Sequence, residues 1–159
     1  MTVVRTIPRK SRLSSLIDTS GGVSVGVARR QANANLEAMK ERSQALISER
    51  LTALAALVEP ATPQDVLPAR AEAYRLSSEI IDAAGMFDMG SLCQAARGLC
   101  DYLDAHDGQG RMDWRVVTVH AHSMRLLTSL PDAAEPQRSA VLEHLAKVLQ
   151  HKLGPNAAD

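Results

Sequence analysis

Residues 69–103 read ARAEAYRLSSEIIDAAGMFDMGSLCQAARGLCDYL. Two amphipathic runs are joined here by a tight corner, AAGMFDMG. The first run places Ala69, Ala73, Leu76, Ser77, Ile80 and Ala84 on one stripe at helical spacing. At about 3.6 residues per turn, the opposite face carries Ala71, Arg75, Ser78 and Asp82. Small and aliphatic residues thus face a core, and a mixed polar row faces solvent. Gly85 falls where a helix C-terminus takes a left-handed residue. Asp88 is placed to cap the next helix, which runs through Leu92, Ala95, Ala96, Leu99 and Leu103.

The composition agrees with helices. Apolar residues make up 45% of the 159 and aromatics only 3%, so the packing must come from Ala and Leu. This length suits a single domain with a real core. With 18 basic and 18 acidic residues the formal net charge is zero, which argues against a nucleic-acid partner. An apolar run of about eighteen residues is absent, so no membrane insertion is expected. The N-terminal TVVRTIPRK carries charge without a following apolar segment, unlike a signal peptide, and the expected location is the cytoplasm. Cys93 and Cys100 share one predicted helix, with Cα atoms about 10 Å apart at a rise of about 1.5 Å per residue. They are too distant for a disulfide and read as small buried or half-buried thiols.

Outward from the corner, the chain divides into an N-terminal arm (1–22), a helical-bundle domain (23–154) and a short tail (155–159). The arm combines Arg5, Arg9, Lys10 and Arg12 with Val3, Val4, Ile7, Leu13, Leu16 and Ile17, more apolar anchors than a solvated tail needs. Two readings stand, a solvated tail and an arm that docks on the bundle or on a partner, and the anchors favour the second. A long first helix is predicted from Ser24 to Glu59, ended by Pro60. Leu36, Met39, Leu46, Leu54 and Leu57 form one edge of its apolar stripe; Ile47, Leu51 and Val58 form the other. Thr62 as N-cap, Pro63 and Asp65 announce the second helix, with Pro68 still in its early turns. After the corner helix, glycines at 108 and 110 mark a loop. A fourth helix runs from Asp113, its cap, to Leu130, with Val116, Val117, Val119, Met124, Leu127, Leu130 and His120 inward and His122 off that face. A last helix, from about Pro136, carries Val141, Leu142, Leu145, Val148, Leu149 and Leu153, and Gly154-Pro155 stops it. Such short connections favour antiparallel neighbours.

Catalytic signals are sparse. No phosphate-binding loop and no cysteine-rich metal pattern occurs. His120 and His122 are two apart on a helix and point to different sides. His144 and His151 are two turns apart, too far to share a metal. His120 reads as a core histidine, His122 and His151 as surface groups, and His106 as a helix C-terminal group whose positive form suits the dipole. No cofactor and no metal are expected.

The corner resembles that of histidine phosphotransfer (HPt) domains, whose motif reads roughly H-x-L-K-G-S-A-G-x-F-G-L. Ala83, Ala84, Gly85 and Phe87 match its S-A-G-x-F, and Leu92, Ala95, Ala96 and Leu99 match the helix that follows. The phosphorylated histidine of the family then falls on Ser78, its lysine on Ile81 and its first glycine on Asp82. An alternative register puts Tyr74 at the histidine position. The wider layout is similar to CheE, small proteins encoded among chemotaxis genes. The resemblance implies an all-α, HPt-like antiparallel four-helix bundle with an extra C-terminal helix and the N-terminal arm. It implies no enzyme, because the nucleophile is missing and the Asp82 carboxylate opposes an incoming phosphoryl group. The expected function is a non-catalytic signalling adaptor that docks a response-regulator receiver or another chemotaxis component through Ala71, Tyr74, Arg75, Ser78 and Asp82. Two alternatives stand beside it: a structural protein that forms a homodimer through the first helix, and an active phosphotransferase using His122.

Overall fold

The computed structural model describes residues 23–106, 112–131 and 133–153. The expected arm, the tail, the Gly154-Pro155 stop and the glycines of the 108–110 loop lie outside the described residues. Those described form five helices and no strand: α1 (Val25–Ala55), α2 (Pro63–Ala84), α3 (Gly90–Ala105), α4 (Trp114–Ser129) and α5 (Glu135–Leu153). The chain divides into two compact units, Met1–Ala38 and Met39–Asp159. Of the first, the described part is the start of α1, with the Ser24 Oγ accepting from the Val27 N–H at 3.4 Å. The second unit contains the core.

That core is organised on α3, which packs against α2, α4 and α5. Leu92, Cys93, Ala95, Ala96, Leu99, Cys100, Tyr102 and Leu103 of α3 are all buried. Leu76 and Ile80 of α2, Val116, Val117 and Met124 of α4, Leu145 of α5, and Ile47, Leu51 and Leu54 of α1 complete the cluster. Burying each such large apolar side chain contributes about 1.5–3 kcal/mol. The α2 stripe read from the sequence is in place: Ala73, Leu76, Ser77, Ile80 and Ala84 are buried, and Ala69 is half-buried. Ser77 is the polar member, and its hydroxyl donates to the Ala73 carbonyl at 2.8 Å.

The helix ends are held by side chains of neighbouring helices. Tyr102, wholly buried, accepts from the Asp113 N–H at 2.9 Å and donates to the Asp113 carbonyl at 3.2 Å. Asp113 caps α4 as expected, accepting from the Arg115 N–H at 3.0 Å. Lys152, near the end of α5, pairs with the same carboxylate at 2.8 Å and holds it below the usual carboxylate range. Arg138 in the first turn of α5 donates to the Leu127, Leu130 and Pro131 carbonyls, satisfying the C-terminus of α4. Arg70 donates to the His106 carbonyl at the end of α3. Lys152 brings the end of α5 to the start of α4, Arg70 in the early part of α2 reaches the end of α3, and Gly98 and His120 lie side by side further along α3 and α4, so α2/α3, α3/α4 and α4/α5 run antiparallel.

Several expectations need correction. α1 ends at Ala55, before Pro60. Leu36, Met39 and Val58 do not join the core and are 55%, 46% and 81% exposed. Val119 is exposed, because the inward face of α4 is filled by Trp114, Val116, Val117, His120, Ala121, Met124 and Leu127. On α5 only Leu145 is buried; Val141, Leu142, Val148 and Leu149 are half-buried and Leu153 is exposed. At the corner, Gly85 is right-handed (φ −63°, ψ −22°) and the left-handed residue is Asp88 (φ 53°). A side chain as short as that of Asp tolerates this region. Asp88 therefore does not cap α3; Met89 holds the N-cap position without a side-chain cap.

Tyr102→Phe removes both hydroxyl bonds to the Asp113 backbone while keeping the ring. It should destabilise the protein by about 1–3 kcal/mol, read from urea unfolding, because the Asp113 N–H is left without this acceptor.

Candidate functional site

The exposed face of α2 is the first place to look. Residues 71, 74, 75, 78 and 82 follow helical spacing, and the helix continues unbroken through them. Ala71, Tyr74, Arg75 and Asp82 are exposed and Ser78 is half-buried, so the five sequence-selected residues do share one face. Nothing among them is an activated nucleophile.

Arg75 does not stand as a separate cation. Its guanidinium donates to Glu72 from Nε at 2.9 Å and from Nη2 at 2.6 Å, and its Nη1 reaches Glu79. Glu79 also meets Arg50 of α1, which in turn pairs with Glu49 at 2.8 Å. The result is a chain of alternating charges, Glu72–Arg75–Glu79–Arg50–Glu49, bridging α1 and α2. The hydrogen bond from Arg75 holds the Glu72 carboxyl below its usual range, and the two carboxylates push the Arg75 guanidinium further up. The Glu72, Arg75 and Glu79 spacing of three and four residues is visible in the sequence; the Arg50 contact is not. Exposed pairs of this kind contribute little individually. Their effect on the face is to neutralise Arg75, leaving Ala71, Tyr74, Ser78 and Asp82 to define it.

Tyr74 lies at the edge of a depression of about 260 Å³ lined by Arg70, Ala71, Leu103 and Asp104. The Asp104 carboxylate, followed by the Cys100 thiol, pushes its phenol up from a range in which the hydroxyl is already a donor at neutral pH. Cys93 and Cys100 are buried and form no disulfide. Burial, then Asp104 and Asp101, push the Cys100 thiol up to about 11, which removes it as a nucleophile at neutral pH.

The histidines are scattered. His106 is half-buried at the end of α3, where its Nδ1–H donates to the Tyr102 carbonyl at 2.8 Å and its ring lies 4.3 Å from that of Tyr102. His120 is buried on α4, and its Nδ1 is 2.8 Å from the Val116 carbonyl oxygen. His122, His144 and His151 are exposed on α4 and α5. Among the described residues, no three His, Cys, Asp or Glu side chains are grouped to hold a metal ion. No described helix is long and apolar enough to cross a membrane.

Compared with protein-family models, curated proteins and solved structures, the chain matches none. The likeness to phosphotransfer domains therefore rests on the residues of the α2–α3 corner alone.

Burial holds the His120 imidazole below its ordinary value of 6.5, partly opposed by its bond to Val116. The folded protein keeps the ring neutral at a pH where the unfolded chain already takes up a proton. Stability is thus complete above the ordinary value and falls as the pH drops through it toward the lower folded value. Melting temperatures measured from about pH 7.5 to about pH 5 should decline, and His120→Leu should flatten that decline.

Proposed function

We propose that the protein is a non-catalytic helical adaptor that docks a receiver domain of a response regulator, or another chemotaxis component, on the exposed face of α2. The observation that carries this reading is the row of Ala71, Tyr74, Ser78 and Asp82 on a well-packed helix. Small residues at 71 and 78 let a partner approach the helix backbone, and Tyr74 offers a rigid ring with a protonated hydroxyl of the kind enriched at interfaces. The corner likeness puts Ser78 where a phosphotransfer domain has its histidine, and a serine hydroxyl cannot replace that imidazole as an acceptor from an aspartyl phosphate. Asp82, one turn on, repels a phosphorylated partner and favours an unphosphorylated one. Binding without group transfer is the outcome consistent with these residues.

The test is a titration against a panel of receiver domains, each with and without a phosphoryl mimic, paired with a search for acid-labile phosphate on this chain. Binding without phosphate uptake is expected. Ala71→Arg should weaken binding at least about tenfold, or about 1.4 kcal/mol, with an unchanged helical signal. Full-strength binding by Ala71→Arg would exclude this face. Phosphate uptake would instead direct attention to His122, exposed on α4.

A specific observation favours a second reading, a structural protein that dimerises through α1. Val25, Ala32, Leu36 and Met39 are all exposed and fall within about 60° of one another around the helix axis. On that reading, sedimentation equilibrium should give a dimer, and the double substitution Leu36→Glu, Met39→Glu should convert it to a monomer without loss of helix content. A wild-type monomer at all concentrations would remove it.

A further inference from the structure

The junction of α3, α4 and α5 contains a buried acceptor with nothing to accept from. A carbonyl oxygen only accepts, so the short contact of His120 Nδ1 with Val116 puts the ring hydrogen on Nδ1. In the neutral ring Nε2 then bears a lone pair. Nε2 is buried and has no hydrogen-bond partner, on a residue with no exposed surface. Facing it is the backbone of Gly98. A Cβ built there would stand 3.8 Å from His120 Nε2 and 2.9 Å from Leu149 Cδ1. The missing side chain of Gly98 is thus what lets a leucine methyl of α5 sit in front of the imidazole, and the space opens when that methyl moves aside. Gly98, His120 and Leu149 line one groove of about 440 Å³ between α3 and α5, with Leu142 and Leu145 on its apolar side and the exposed side chains Gln94, Arg97 and Asp101 of α3 also lining it.

We propose that this groove binds a small neutral molecule with an apolar body and one hydroxyl group, an alcohol or phenol, whose O–H donates to His120 Nε2. The body displaces the Leu149 methyl and lies over Gly98. The chemistry of the site selects this class. The lone pair needs a donor, which excludes an ionised carboxylate, whose oxygens only accept. Beside Nε2 itself the wall is the Leu149 methyl, which penalises an ammonium at that point, and the charged side chains of the groove, Arg97 and Asp101, are exposed. A metal ion would find one imidazole and no grouped second and third ligand among the described residues. The groove volume is within the range of small-ligand sites, about 300–1,000 Å³. Leu149 ends in a flexible side chain, so the displacement needs a rotamer change and not a backbone movement.

Phenol and toluene make the matched probes, equal in ring and differing in the donor. The full chain, labelled with ¹⁵N-histidine, is titrated with each while the Nε2 resonance of the buried imidazole and the melting temperature are followed. Phenol should shift that resonance saturably, raise the melting temperature, and bind at least about tenfold more tightly than toluene. Gly98→Ala puts a methyl into the space in front of Nε2, which the flexible end of Leu149 yields by a rotamer change, and alanine suits a helix, so the variant should keep the fold and weaken phenol binding at least about tenfold. His120→Phe should abolish the preference for phenol over toluene. Equal binding of the two probes, absence of any saturable response, or undiminished phenol binding by Gly98→Ala would each overturn the proposal. Gly98→Ala keeps the test decisive even where His120→Phe does not fold.

Discussion

The structure depends on α3 being buried on three sides at once. A helix can meet three neighbours only if its side chains leave them room, and α3 does this with Ala95, Ala96 and Gly98 between its leucines. The low aromatic content follows from the same constraint. Of the few rings present, Tyr102 and Trp114 are the buried ones that fill the α3–α4 end. The interior is therefore close-packed by small shapes, which makes it sensitive to enlargement as well as to truncation. Ser77 and the Nδ1 of His120 bond to carbonyls of their own helices four residues back, while the buried Tyr102 hydroxyl reaches across to the Asp113 backbone at the start of α4.

What joins the helices at their ends is charge and hydroxyl chemistry. The early part of one helix and the last turn of its neighbour meet repeatedly: Tyr102 and Lys152 on Asp113, Arg138 on the end of α4, Arg70 on the end of α3. These contacts satisfy backbone groups that a helix end leaves open. They also set the antiparallel order, which apolar packing alone does not specify because a leucine stripe reads similarly in either direction.

Much of this was legible in the chain. The buried stripe of α2 and the face of α3 follow from spacing, because their apolar residues are densely and regularly placed. The inward His120 and the Asp113 cap were legible for the same reason. The candidate face of α2 was legible as the complement of its stripe; that Arg75 is neutralised by Glu79 and Arg50 was not, since Arg50 belongs to another helix. The misreadings have local causes. Leu36, Met39 and Val58 fit an apolar pattern, but a pattern does not say whether anything packs against it. Gly85 looked like the left-handed residue because glycine pays least there, yet the turn placed that conformation three residues later, where Asp88 tolerates it. The juxtaposition of Gly98, His120 and Leu149 joins three helices and leaves no trace in spacing along any one of them.

The pairing pattern also bears on how the chain reaches this structure. α2 with α3, α3 with α4, and α4 with α5 are neighbours along the chain as well as in space; among the extensively packed pairs only α3 with α5 skips a helix. Each closure spans a short loop at small entropic cost, and topologies so local belong to the fast end of folding rates. A chain made from its N-terminus can pair α2, α3 and α4 as they emerge. The Gly98 side of α3 then stays open to water, and to whatever else can occupy it, until residues 135–153 have been synthesised and laid across it.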